Sequence, residues 1–374
     1  MFSQNQPIIF SFFSGSGFLD LGFEMSDFEV RFVNEYQESF LEAYIYSREK
    51  LGIPQPLFGH HLGSIEEFVS GQKTEELTQL VEKAKLDSLV GFIGGPPCPD
   101  FSVAGKHKGA NGDNGRLTKV YIESIVANQP DFFLFENVKG LWRTLKHREF
   151  YDEMKNLLKD AGYVLTDRLT NCIEYGVPQD RDRILMFGIH SKHVGSLSSE
   201  KLCQDFNWER EIYFDRKHVL NKSLWPTTNK YKETHSSRKK LPSTLESLET
   251  LTVQHWFEKN EVDDHPNSNH YFKPYSARFY TVEEGDDSKK SFKRLHRFRY
   301  SPTAAYGNNE VHLHPYRSRR LSVAEALAIQ SLPKEFHLPP QMTLSDMFKT
   351  IGNGVPYLAS LGIARTIKHY LSSL

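Results

Sequence analysis

The chain has 374 residues, 39% of them hydrophobic and 25% charged. That is the balance of a soluble globular enzyme of one large or two modest domains, and it excludes a disordered or fibrous protein. No run of about 18 apolar residues is present, which argues against a spanning helix. The net charge of −1 does not by itself announce a nucleic-acid partner.

The N-terminal apolar run is not preceded by a basic segment, so no secretory leader is expected. Residues Pro7–Phe13 read as a buried strand that ends in a glycine turn, followed by a helix over Phe18–Met25. Further strands are expected at Val30–Glu35, Ser88–Ile93, Phe132–Glu136 and Arg183–Ile189. Helices are expected at Thr74–Lys85, Lys119–Asn128 and Glu149–Ala161. Alternation of this kind predicts an α/β fold with a doubly wound, mostly parallel sheet. From about residue 191 to 300 the rhythm is lost, and the chain becomes polar, basic and rich in aromatics, with Trp208, Trp225 and Trp256. This stretch reads as a second, irregular domain. Regularity returns with helices at Ser322–Leu332, stopped by Pro333, and at Val355–Leu371.

Three cysteines, Cys98, Cys172 and Cys203, are widely spaced and form no Cys-x-x-Cys pair. They predict neither a disulfide framework nor a zinc site, and suit a reducing, intracellular setting. Basic residues gather at Arg238, Lys239 and Lys240, at Lys289 to Arg299, and at Arg317, Arg319 and Arg320. Such runs are as often a solvated face as a nucleic-acid surface.

Four short motifs carry chemistry. Phe12-Phe13-Ser14-Gly15-Ser16-Gly17-Phe18 joins the first strand to the first helix, where glycines and free N–H groups suit a ligand, although an ordinary tight turn looks the same. Glu35 ends the second strand, placed either to accept from ribose hydroxyls or simply to face solvent. Gly94-Gly95-Pro96-Pro97-Cys98-Pro99 follows a buried strand. Its prolines argue for a shaped loop presenting a thiol, whereas a lone cysteine is more often inert core. Glu136 ends another buried strand, and Arg181 and Arg183 alternate before the next, as an anion-holding pair or as a surface charge cluster.

In this order, together with FENVKG, QDRDRILMFG, RRLSVAEALAIQSLP and IGNGVP, the motifs closely resemble the DNA (cytosine-5)-methyltransferase family, in its prokaryotic restriction-modification type. The resemblance spans the chain except about residues 191–300. It implies an S-adenosylmethionine-dependent methyltransferase fold, with S-adenosylhomocysteine as product. Residues 1–190 would form the catalytic and cofactor-binding domain, 191–315 the target-recognition domain, and 316–374 a segment that returns to complete the first. It implies Cys98 as the nucleophile, Glu136 at ring nitrogen 3 and the exocyclic amine, Arg183 at the carbonyl oxygen, and Arg181 assisting near the loop or a phosphate. The base must leave the duplex to be reached.

The cofactor contacts implied are Phe13, Gly15, Gly17, Phe18, Glu35, Tyr36, Ser64, Ile65, Gly95, Pro97, Leu117, Asn353 and Val355. Implied DNA contacts are Ser102, Lys106, Arg238, Lys239, Lys240 and Arg297, with phosphate contacts setting register and base contacts setting sequence. The resemblance further implies a monomer with no metal and no membrane attachment. It would be cytoplasmic and nucleoid-associated, act on double-stranded DNA, and be paired in function with a restriction endonuclease without a stable complex.

Three positions depart from the family pattern. Ser11 and Ser64 stand where acids are usual, and Pro99 replaces a glutamine suited to filling the space of the flipped base. An RNA-directed enzyme is opposed by the absence of cysteine beside Phe135-Glu136-Asn137 and of a Cys-Phe-Thr stretch. A regulator that has lost its chemistry is opposed by the intact Cys98, Glu136 and Arg183 set. A dinucleotide-dependent oxidoreductase would leave the Pro-Cys loop without a role.

Overall fold

A computed structural model describes residues 6–97, 113–142, 145–234, 240–289, 291–304, 306 and 312–374. The catalytic half runs β1 (Ile8–Phe12), α1 (Phe18–Glu24), β2 (Glu29–Glu35), α2 (Glu38–Leu51), β3 (His60–Leu62), α3 (Glu66–Val69), α4 (Thr74–Lys85) and β4 (Val90–Gly94). It continues with α5 (Asp113–Asn128), β5 (Phe132–Val138), α6 (Leu145–Asp160), β6 (Tyr163–Asn171) and β7 (Asp182–His190). These strands form one seven-stranded sheet in the order β3-β2-β1-β4-β5-β7-β6. Pairing is parallel from β3 through β5, and β7 runs antiparallel to both β5 and β6. The doubly wound, mostly parallel sheet expected from the sequence is therefore present.

β1, β4 and most of β5 are buried along their whole length, as central parallel strands covered on both faces must be. On one face Ile8, Phe10, Phe12, Phe92 and Phe133 meet Val81 of α4, Tyr121 of α5 and Leu158 of α6. On the other, Ile9, Val33, Ile93 and Leu134 meet Leu19 and Phe23 of α1.

The C-terminal segment supplies the rest of that second layer. It holds α12 (Val323–Ile329), α13 (Leu344–Asn353) and α14 (Tyr357–Leu371). α14 lies so close to α1 that a Cβ on Gly22 would fall 2.2 Å from Ser360 Oγ and 2.5 Å from the Leu361 backbone nitrogen. Two ends of the chain far apart in sequence thus close one core.

Between them come α7 (Ser191–Val194), α8 (Ser199–Asp205), α9 (Arg216–Val219), α10 (Val253–Lys259), α11 (Arg278–Thr281) and a short parallel pair, β8 (Lys293–Arg294) with β9 (His312–Leu313). The irregular character expected here is found, but position 191 is not a break in packing. Leu202, Phe206 and Trp208 join the core beneath the sheet, and Trp208 Nε1 donates to Thr166 Oγ1 at 2.9 Å. Similarly, Val253, Trp256 and Phe257 pack on Ala324, Ala328 and Ile329 of the C-terminal segment. Among the described residues, no helix is long and apolar enough to cross a membrane.

At the amino end of β5, Asp131 pins three strands. Its Oδ2 accepts from the Val90 N–H at 2.7 Å, and its Oδ1 meets Lys192 Nζ at 2.6 Å and His193 Nε2 at 2.7 Å. Burial pushes this carboxyl up, but His193, Lys192 and the Val90 amide outweigh it and hold the group at about 2 against a usual 3.8. A depressed folded-state value stabilises above the unfolded value and is lost as pH falls through the folded one. Asp131→Asn is expected to cost roughly 2 kcal/mol near neutral pH. In urea titrations the gap from wild type should narrow as the pH is lowered from about 4 towards 2.

Candidate active site

The carboxyl end of β1 turns through Phe13, Gly15 and Gly17 at φ of 54°, 55° and 78°. A phenylalanine in the left-handed region is strained, and strain of this kind collects where a ligand is held. Glu35, at the end of neighbouring β2, closes the turn. Its Oε2 accepts from the Gly15 N–H at 2.7 Å and its Oε1 from the Gln37 N–H at 2.8 Å. Burial pushes its carboxyl upward. The carboxylate still has lone pairs for hydroxyl donors. Tyr36 beside it is 77% exposed, an open ring face, whereas Ile65 is buried. Ser14 Oγ is buried without a hydrogen-bond partner, a polar atom left over at the turn.

Beneath this turn lies a buried ionic cluster that the sequence reading missed. Arg48 of α2 is fully buried. It donates to the Gly17 carbonyl at 2.7 Å and pairs with Glu24 at 2.8 Å, with its guanidinium 4.2 Å over the Tyr44 ring. A Cβ on Gly17 would strike Tyr44 and Arg48 at 2.5 and 2.6 Å, so only glycine lets the turn sit on its support. Ser11, which stands where the family pattern has an acid, donates to the buried Asp20 at 2.9 Å, and burial pushes that carboxyl up to about 6. An acid at position 11 would face a second buried carboxylate.

A second group of residues meets at the carboxyl ends of β4 and β5. Arg183, at the start of β7, lies opposite Val138 in the antiparallel register, on the same face as Glu136. Its Nε is 2.6 Å from Glu136 Oε1, and both side chains are about one-tenth exposed. Gly95 completes the group, since a Cβ there would fall 2.6 Å from Glu136 Oε2. A buried carboxylate–guanidinium pair is tolerated because each group neutralises the other. It presents polarised donors and acceptors where β4 hands over to the Pro-Cys loop. Of the expected residues, Cys98, Pro99, Ser102, Lys106, Arg238 and Lys239 lie outside the described residues. Cys172 is buried, and burial pushes its thiol up to about 12, so it is no nucleophile at neutral pH.

Two expectations are corrected. Arg181 does not reach towards a phosphate. It is 1% exposed and donates to the carbonyls of Gly352 at 2.8 Å, Gly354 at 3.0 Å and Ala304 at 3.2 Å. Alternation along the chain therefore sent Arg181 and Arg183 to different partners. Arg297 does not offer itself to a base edge either. It is buried, with Nε 2.7 Å and Nη2 3.0 Å from the two carboxylate oxygens of Glu284.

The other residues expected to contact a cofactor differ in their surroundings. Phe18 is buried under Gly354, whose Cβ would meet its ring at 2.2 Å, so it supports the turn from behind. Val355 is likewise buried, Asn353 and Pro97 are exposed, and Leu117 packs against the α4–α6 layer. The Ser64 hydroxyl donates to Glu66, one of two acids beside it. Lys240 lines a cavity in the irregular region with Pro226, Pro242, Phe298 and the Glu284–Arg297 pair. Gln179 was named only within its motif. It accepts from the Ala304 N–H at 2.9 Å and donates to Gln330 at 3.2 Å, tying the returning chain to β7. Arg48→Lys keeps the charge but loses the fork that spans Gly17 and Glu24. It should weaken S-adenosylhomocysteine binding about tenfold by calorimetry and lower the melting temperature.

The model of the C-5 cytosine-specific DNA methylases matches residues 8–369. The chain is 56% identical over 373 residues to the type II methyltransferase M.NmeDI of Neisseria meningitidis serogroup C, covering 99% of this chain and 85% of that one. It is 28% identical to the type II methyltransferase M.FnuDI of Fusobacterium nucleatum, over 97% and 95% of the two chains. Among solved structures, a putative DNA modification methyltransferase encoded within an Escherichia coli prophage superposes with a TM-score of 0.59 at 20% identity, over 98% of this chain and 99% of that one. The Schizosaccharomyces pombe Dnmt2 methyltransferase does so with 0.59 at 10% identity, over 98% and 99%. The family match runs through both ends of the sheet and both groups of site residues, and the chain belongs to the C-5 cytosine-specific DNA methylases.

Proposed function

We propose that this enzyme methylates carbon 5 of a cytosine flipped out of a short, specific duplex sequence, through a covalent adduct with Cys98. The observation that carries the proposal is the buried Glu136–Arg183 pair set against Gly95, at the point where the chain enters the Pro-Cys loop. Carbon 5 of cytosine is a weak nucleophile. Addition of the Cys98 thiolate at carbon 6 makes it enamine-like. Glu136 holds the proton at ring nitrogen 3 and accepts from the exocyclic amine, while Arg183 donates to the carbonyl oxygen as negative charge gathers there. After methylation, loss of the carbon-5 proton and β-elimination return Cys98 as the thiol.

S-adenosylmethionine, when bound, supplies the electrophilic methyl group on a sulfonium. The residues present fit it. The strained glycine turn and the unpartnered Ser14 hydroxyl suit its amino-acid end, Glu35 its ribose, and Tyr36 and Ile65 the two faces of its adenine. Gly95, Pro97, Leu117, Asn353 and Val355 would close the pocket.

The names of the relatives support a protective role beside a restriction endonuclease, as a type II methyltransferase. In this reading the enzyme works as a cytoplasmic monomer at the nucleoid. Residues 191–315 would form the target-recognition region, with Leu202, Phe206 and Trp208 at its start packed into the catalytic core.

The test is methyl transfer from labelled S-adenosylmethionine to unmethylated plasmid DNA, followed by base-resolution mapping of 5-methylcytosine. Wild type should mark one short motif, and Cys98→Ser should mark none. A folded, cofactor-binding wild type that modifies no DNA would sink the proposal. Gly95→Ala pushes a methyl group against the Glu136 carboxylate. Single-turnover transfer should fall about a hundredfold, because a shift of about 1 Å at a reacting group costs that much.

A further inference from the structure

The structure sorts the basic residues of the second half into those already neutralised and those left over. Arg297 pairs with Glu284, Arg317 with Asp263 at 2.7 Å, Arg319 with Glu325 at 2.6 Å, and Arg299 with Asp287 at 3.6 Å. Arg294 is buried among carbonyl oxygens. Lys273, Arg278 and Arg320 have no acidic partner within ion-pair distance among the described residues. No Asp or Glu occurs in the sequence between His265 and Val282.

Arg320 meets the exposed ring of Tyr275 directly, Arg278 lies beside it through Phe292, and the exposed Lys273 stands two residues before it in the chain. Tyr275 is 61% exposed. Arg320 lies 5.2 Å over its ring and 5.0 Å over that of Phe272, and donates from Nη2 to the Tyr275 hydroxyl at 2.7 Å. Arg278 lies 5.2 Å over Phe292, whose ring is 5.9 Å from that of Tyr275. Because the Tyr275 oxygen accepts from Arg320, its own hydrogen is left to donate outward. The patch thus offers hydroxyl, guanidinium and ammonium donors, with no carboxylate in ion-pair distance of its cations among the described residues. Stacking on rings fixes the two guanidinium planes in advance of any ligand.

The patch is coupled to the cofactor end of the sheet. Phe272 packs on Phe348 of α13 at 5.5 Å, and Lys349 and Asp346 of the same helix bond the Gln37 side chain, two residues from Glu35.

We propose that Lys273, Tyr275, Arg278 and Arg320 form a surface that grips the phosphates of duplex DNA and sets the register of the irregular region without reading sequence, an inference that rests on the DNA-methylating function proposed above. A donor-only, preorganised surface matches a row of phosphate oxygens. The paired arginines cannot serve there without first leaving a carboxylate exposed.

The test is fluorescence anisotropy with a labelled mixed-sequence duplex of about 30 base pairs over a range of KCl concentrations. The double variant Lys273→Gln/Arg278→Gln should reduce the slope of log affinity against log salt by about two, with roughly tenfold or greater weakening at physiological salt. Arg320→Gln and Tyr275→Phe should each weaken binding further, while Arg317→Gln, whose partner is Asp263, leaves the slope within about half a unit of wild type. Melting temperature and S-adenosylhomocysteine affinity of the double variant, whose two side chains are exposed, should stay at wild-type values. A double variant with wild-type slope and affinity would overturn the phosphate surface while leaving the methylation reading standing. Displacement of the duplex by polyglutamate at equal charge concentration would overturn it in favour of an acidic protein partner. Failure of wild type to methylate plasmid DNA would remove the function on which it rests.

Discussion

The structure depends on one buried guanidinium. Arg181 sits just before β7, sealed from solvent, and its donors go to carbonyls at the C-terminal end of α13 and of the chain returning from the irregular region. A backbone carbonyl buried without a donor costs on the order of 1–3 kcal/mol, and Arg181 satisfies several of them. Burial, with Arg183 alongside, pulls the group down only to about 9, so it stays charged at neutral pH. Three stretches of chain remote in sequence are therefore held against one point, two residues from the arginine that meets Glu136. The C-terminal end of α13 carrying Asn353 and the Glu136–Arg183 pair thus lie against the same stretch of chain, at the start of β7.

Other buried arginines follow the same logic. Arg48 holds the turn after β1, Arg183 holds Glu136, Arg297 holds Glu284, and Arg294 gathers carbonyls of the irregular region. A buried ion pair adds little net stability compared with a well-packed apolar pair, but breaking one costs several kcal/mol. Its effect is positional: Arg48 fixes the turn after β1, and Arg294 and Arg297 tie together segments of the irregular region. This suits a chain whose second half is mostly turns and short helices. It also determines which charges remain for a polyanion, because a guanidinium already bonded to a carboxylate has no donor fork to spare.

Much of this was legible in the sequence, and the gaps have physical causes. Buried strands such as Ile8–Phe12 stood out because an unbroken apolar run needs cover on both faces. Glu136 stood out because a carboxylate closing such a run must be paired to be buried there. β6 did not, since Asp167 and Arg168 interrupt its pattern; in the fold Tyr151 and Lys155 satisfy the first and Glu174 the second. α2 and α13 were missed, and with them Arg48, although a basic residue opposite a glycine turn leaves no local signature. The basic runs misled most. Whether an arginine is free depends on an acid elsewhere in the chain. Asp263 for Arg317 and Glu284 for Arg297 cannot be assigned from spacing.

That dependence accounts for how the middle of the chain can differ so much from the rest in character while the site stays intact. Several contacts between the irregular region and the catalytic core lie beside the start of β7. Asp182 of β7 takes Arg216 at 2.6 Å, Ser301 exchanges backbone hydrogen bonds with Pro178 and Asp180, and Gln179 holds Ala304. All are within five residues of Arg183. A change within the loops between Arg216 and Ser301 alters which donors face outward but leaves these anchors alone. The geometry of Glu136, Arg183 and Gly95 is therefore independent of what those loops present to solvent.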